Sequence, residues 1–242
     1  MENYGLMMIA AFCSYLVKGM CGFANTLVFT SILSFRSASI NITPVDLLIG
    51  IPANILVVIR ERKSIRLKVW LPLAAMVVGG SIPGIFLLKF GDVSFLKLIL
   101  GAVIVGIGVE MLLREYQTKK SKSSPVMLFV IGIVSGLLCG MFGIGALLAA
   151  YIGRTTETTG EFRGNLCAVF LADNFFRLAV YLATGIITGD VVRTALVLFP
   201  LVLLGLGAGM LLSRVADEKL MKKIVVIMLI ISGTALFFTN LF

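Results

Sequence analysis

In "ADNFFRLAVY" an acid and a base, Asp173 and Arg177, stand four residues apart inside an otherwise apolar stretch. On a helix this spacing puts them one turn apart on the same face, and two chemistries follow. Either they neutralise each other as a pair, or Arg177 is a fixed positive charge whose planar fork of donors suits an oxyanion. Lys18, just ahead of Gly19, is a second cation inside an apolar segment, with snorkelling to an interface as its plainer reading. Asn25 closes the first glycine cluster, and Asn54 and Asn174 place amides where they could flank a ligand. Polar groups are costly in apolar spans and so mark candidate function. Glu161 and Arg163 begin the segment that carries Arg177 and could gate its mouth.

Other chemistries are excluded. The chain has no histidine, which removes a His-ligated metal and a His proton relay, and neither a phosphate-binding loop nor a dinucleotide fingerprint is present. We expect no cofactor, no metal and no enzymatic activity. Cys13, Cys21, Cys139 and Cys167 lie in apolar segments without CxxC spacing and read as small packing residues. The net charge of +9 does not imply nucleic acid, because the Lys and Arg residues gather in short loops between apolar runs.

The elements that must position these residues are membrane segments. Of 242 residues, 59% are hydrophobic and 14% charged, and the mean hydropathy is +1.08. A soluble domain would carry about a quarter charged residues. Apolar runs long enough to cross ~30 Å of hydrocarbon recur at about 5–34, 44–60, 69–89, 94–113, 125–152, 163–185, 191–213 and 218–239. Glu2 and Lys18 argue against a cleaved signal in the first. The chain reads as an all-α polytopic membrane protein whose partner is the lipid bilayer.

The first and fifth runs are too long for one simple span, and both hold glycine clusters. A shift of 121 residues aligns Ser14 with Ser135, Leu16 with Leu137, Gly19 with Gly140, Met20 with Met141, Gly22 with Gly143 and Leu27 with Leu148. With small drift, Asn54 matches Asn174, Pro72 resembles Pro200, and Gly80/Gly84 resemble Gly205/Gly209. We therefore divide the chain into a first repeat at 1–113, a basic cytoplasmic linker at 114–124 and a second repeat at 125–242. Loop 60–68 carries five Lys/Arg and the linker four, while 35–43 and 186–193 carry one each. If runs one and five are re-entrant hairpins, the basic loops all lie in the cytoplasm and the two four-segment halves are inverted. The alternative is eight full spans.

A broken backbone survives in a membrane only where it is buried in protein or lines a cavity. Glycine permits the turn, and a half-helix starting at the break aims free N–H groups into that cavity. On this reading residues 19–25 and 140–146 are non-helical and adjacent, with Gly19, Gly22, Gly140, Gly143 and Gly145 forming backbone walls of an anion site. The competing reading is that spacings such as Gly136/Gly140 only let helices pack closely.

"VKGMCGFANTLVF", "SGLLCGMFGIGALLAAYIGR" and "EFRGNLCAVFLADNFFRLAVYLATGIIT" resemble the TauE/SafE (sulfite exporter) family of membrane permeases over nearly the whole chain. Ala24 stands where the second motif has a third glycine. The resemblance implies a multi-pass protein of the bacterial cytoplasmic membrane that transports sulfite, thiosulfate, sulfonate or sulfoacetate-type anions. We expect a secondary transporter working by alternating access and coupled to protons or sodium. A carboxylate carrier and an anion channel are the alternatives. The expected substrate-binding residues are Lys18, Gly19, Gly22, Asn25, Asn54, Gly140, Gly143, Gly145, Asn174 and Arg177. Oligomeric state is not legible.

Overall fold

The computed structural model describes residues 4–34, 42–90 and 125–215, with a few helical positions between 98 and 109 and between 227 and 237. The linker 114–124 lies outside the described residues, as do most of the fourth and eighth apolar segments and residues 35–41 of the loop after the first.

Among the described residues the chain is all helix. The first half holds α1 (Tyr4–Cys21), α2 (Asn25–Ser34), α3 (Ile42–Arg60), a single 3₁₀ turn (Arg62–Ser64) and α4 (Leu67–Phe90). The second holds α5 (Pro125–Phe142), α6 (Ala146–Thr155), α7 (Thr159–Ala183) and α8 (Gly189–Val215). Pro125 opens α5, where its missing N–H has no intrahelical partner to lose. Thr158 caps α7 by accepting the Glu161 N–H. Five helices have the length and hydropathy to cross a membrane: α1, α3, α4, α7 and α8.

The two over-long apolar runs are each two helices. α1 and α5 have 18 residues and α2 and α6 have 10, and corresponding helices start 121 residues apart. The breaks are shorter than the sequence suggests. Residues 19–21 and 140–142 are helical, and only 22–24 and 143–145 depart from the helix.

The reason is a helix stop of the left-handed type. The Gly22 N–H donates to the Lys18 carbonyl at 2.6 Å and the Gly143 N–H to the Cys139 carbonyl at 2.7 Å, which closes α1 and α5 with one final turn each. Gly22 (φ 85°) and Gly143 (φ 74°) supply the positive φ this requires.

The remaining glycines of the two clusters do a different job. Each half's first helix packs most extensively on a helix of the other half, α1 on α8 and α5 on α4. A Cβ at Gly140 would meet the Ser81 carbonyl of α4, and one at Gly136 the Val77 carbonyl. A Cβ at Gly19 would meet the Leu206 carbonyl of α8, and one at Gly209 the Leu16 carbonyl. These are backbone-to-backbone contacts of the small-residue kind. The plainer reading thus holds for Gly19, Gly136 and Gly140, whose hydrogens face neighbouring helices. Two apolar cores flank the arrangement. One joins both breaks to α4 and α7, and the other joins α1, α2, α3 and α8.

Candidate functional site

Both breaks open on one small polar cavity of about 30 Å³, room for a water molecule or two. The first half contributes Lys18 from the end of α1, residues 23–27 of the break and α2, and Asp46, Gly50 and Asn54 from α3. The second contributes the break 143–145 and Phe170, Asp173, Asn174 and Arg177 from α7. Helical spacing explains the α3 and α7 sets: positions 46, 50 and 54 and positions 170, 173, 174 and 177 recur on one face of each helix.

Of the ten candidates, Lys18, Asn25, Asn54, Gly143, Gly145, Asn174 and Arg177 line this cavity. Gly19, Gly22 and Gly140 do not. Gly19 and Gly140 are helix contacts, and Gly22 lies against Arg163, whose Cγ is 2.7 Å from the position of a Cβ. Arg163 and Glu161 are at the other end of α7. Arg163 donates to the Met20 carbonyl and to the Ser213 hydroxyl, tying α7 to the ends of α1 and α8. Glu161 pairs with Arg66 at 2.5 Å, tying α7 to the start of α4. None of the four cysteines lines the cavity.

Asp173 and Arg177 do not form an ion pair; among the described residues those formed are Arg60–Glu61 and Arg66–Glu161. The Ser81 hydroxyl lies 2.5 Å from Asp173 Oδ1 and 3.0 Å from the Gly136 carbonyl. Arg177 turns the other way, donating to the Tyr181 hydroxyl at 3.2 Å. Its guanidinium rests on the second break, with Nη1 2.9 Å from where a Gly143 Cβ would be. Arg177 is 2% exposed and its Nε has no hydrogen-bond partner. A buried donor on a charged group costs stability when unmet, and Arg177 is among the residues that line the cavity.

The first break carries a different cluster. Lys18 Nζ donates to Asn25 Oδ1 at 3.0 Å and sits 5.8 Å from the Phe170 ring centroid and 6.0 Å from that of Tyr15, within cation–π range. Asn25 Nδ2 donates to Asp46 Oδ1 at 3.3 Å, and the Thr26 hydroxyl to Asp46 Oδ2 at 2.5 Å. The Tyr15 hydroxyl is 3.5 Å from Asp46 Oδ1. Asn54 Oδ1 is buried and unpartnered.

Asp46, Thr26, Ser81 and the two tyrosines are absent from the candidates drawn from sequence. Asp46 gave a signal, an acid inside an apolar run, but it falls two residues after Pro44, where a charge reads as interfacial. Hydroxyl groups in spans give no comparable signal.

Comparison with protein families matches residues 7–236 to the family described as "Sulfite exporter TauE/SafE". No curated protein and no solved structure matches. The match covers both breaks and every residue of the cavity.

Proposed function

The chain belongs to the TauE/SafE sulfite exporter family, a family of membrane transporters rather than enzymes, and from that membership and the cavity we propose a secondary carrier for a small sulfur oxyanion. The observation that carries the reading is Arg177. It is a buried guanidinium free of any carboxylate partner, with an unmet donor, set against the backbone of a broken helix. A sulfite-like oxyanion would take that donor together with the free N–H groups at the start of α6, in the manner of anions at helix N-termini. The absence of a side chain at Gly143 lets the Arg177 guanidinium lie on the break, and at Gly145 it makes room for the Phe170 ring. Asn54 and Asn174, each lining the cavity from its own half, flank the ligand, and Lys18 adds a second positive charge.

A carrier exposes one site to each side in turn, and the small cavity fits a state that opens further to bind. Two apolar cores enclose the polar cluster, whereas a channel needs a continuous polar lining. The protein would sit in the bacterial cytoplasmic membrane. α1/α2 and α5/α6 would be re-entrant pairs of inverted halves, which places every basic loop on one side. Labelling of single cysteines at 60–68 and 214–223 should then occur from the same face; labelling from opposite faces would leave eight full spans.

Counterflow in proteoliposomes tests the function. Vesicles preloaded with unlabelled sulfite should transiently accumulate labelled sulfite, with a rate that saturates, and Asn54→Leu and Asn174→Leu should each slow it without loss of membrane insertion. A non-saturating flux without overshoot would mean a channel. Accumulation of acetate in preference to sulfite would mean a carboxylate carrier.

A further inference from the structure

The two breaks correspond in sequence, but the first sets a carboxylate against the start of its second helix and the second sets a guanidinium against its turn. At the first, the side chains of the first two residues of α2 both donate to one carboxylate, Asp46 of α3. The place that a half-helix N-terminus offers to an anion is thus filled by an anion of the chain itself. At the second break no such acid exists. The residue 121 positions after Asp46 is Cys167, and the side chain facing Gly143 is Arg177.

The four ionisable groups with fixed charge at the cavity are Lys18, Arg177, Asp46 and Asp173, two of each sign. The site is neutral when empty and gains negative charge when an oxyanion binds. Uncompensated charge in a buried, low-dielectric site is strongly unfavourable. When the anion is singly charged, as hydrogen sulfite is, one proton taken up by a carboxylate restores neutrality.

We propose that this carboxylate is Asp46, and that it couples proton movement to anion movement. The inference rests on the anion-carrier reading and adds the coupling ion and its residue. A proton from the aqueous phase on one side adds to Asp46, converting the carboxylate to the neutral acid, and leaves as a proton on the other side. The acid accepts more weakly than the carboxylate, so protonation loosens the bonds from Asn25 and Thr26 that hold α2 to α3. Protonation therefore acts on the broken helix, and a ligand shifts a conformational equilibrium only through such a difference between states. Asp173 is less suited, since its partner Ser81 belongs to α4, which is packed along its length on α5.

The groups facing Asp46 are Tyr15 and Lys18 from α1 and, across the cavity, Arg177 and Asp173 from α7. The α2 side chains Asn25 and Thr26 are neutral, and α8 gives only apolar side chains to the core it shares with α3.

The test compares sulfite exchange with sulfite accumulation driven by a pH gradient, in the same proteoliposomes. Because sulfite itself titrates, wild type and variants are measured under one gradient, so a change in sulfite ionisation affects all alike. Wild type should accumulate sulfite several-fold under the gradient. Asp46→Asn should keep exchange and lose that accumulation, and Asp190→Asn, exposed at the start of α8 and outside the cavity, should keep both. Thr26→Val keeps the carboxylate but removes a donor, and should displace the pH profile of accumulation. Accumulation retained in Asp46→Asn, accumulation lost equally in Asp190→Asn, exchange lost in Asp46→Asn, or an unmoved profile in Thr26→Val would each overturn the assignment. Exchange without pH-driven accumulation in wild type, or accumulation driven by a sodium gradient instead, would do so while leaving the anion carrier standing. Only the absence of sulfite flux in wild type would remove the carrier reading itself.

Discussion

Sulfite should bind the Arg177→Gln protein at least about tenfold more weakly than the wild type. Glutamine keeps a hydrogen-bonding group near the second break but removes the charge. A hydrogen bond to a charged group contributes about 1.5–3 kcal/mol, and about 1.4 kcal/mol is a factor of ten in affinity. The expected loss is therefore roughly ten- to a hundredfold, read by titration of the purified protein with sulfite. Asp173→Asn is the control. It removes the negative charge one turn away, which is not paired with Arg177, so sulfite binding should persist or strengthen. If Asp173→Asn abolishes sulfite binding and Arg177→Gln binds it normally, the charge that matters is negative and Arg177 is not the anchor of the anion.

A second large effect is expected at Gly143. Its φ of 74° is one that β-branched residues essentially avoid, and leaving the right-handed region costs an ordinary residue ~1–2 kcal/mol. A Cβ there would also stand 2.9 Å from Arg177 Nη1, so Gly143→Val must displace the guanidinium or the break. Sulfite counterflow should be lost. Gly207 is the comparison, since a Cβ there meets nothing within 4 Å, and Gly207→Ala should transport at close to the wild-type rate. Full-rate counterflow from Gly143→Val would mean that the second break is not part of the anion site.

The sequence made the class and the breaks legible, because both depend on composition and local chemistry. Apolar runs of span length have few alternatives in lipid, and glycine clusters at matched positions of a repeat announce interrupted helices. The extent of the breaks was not legible. A glycine that ends a helix through an i−4 bond, as Gly22 and Gly143 do, looks in sequence like a glycine that lets two helices touch, as Gly19 and Gly140 do. The difference lies in whether another helix passes close by, which is a tertiary fact. Asp173 and Arg177 teach a similar lesson. Four-residue spacing says that two side chains can meet, but here Ser81 on α4 and Tyr181 one further turn along α7 draw them apart. Asp46 was missed because position along a segment suggested an interface, whereas α1, α2 and α7 close over it.

The asymmetry of the two breaks makes the account specific about where the substrate lies. The first break holds the chain's own carboxylate and the second a guanidinium with no carboxylate partner and an unmet Nε donor, so the oxyanion belongs at the second. Anomalous scattering from crystals grown with selenite, a heavier analogue of sulfite, locates it directly. A single strong peak is expected within hydrogen-bonding distance of Arg177 and the backbone of residues 143–146. A peak at the first break beside Asn25 and Thr26 with Asp46 displaced, or selenite bound only outside the cavity, would contradict it.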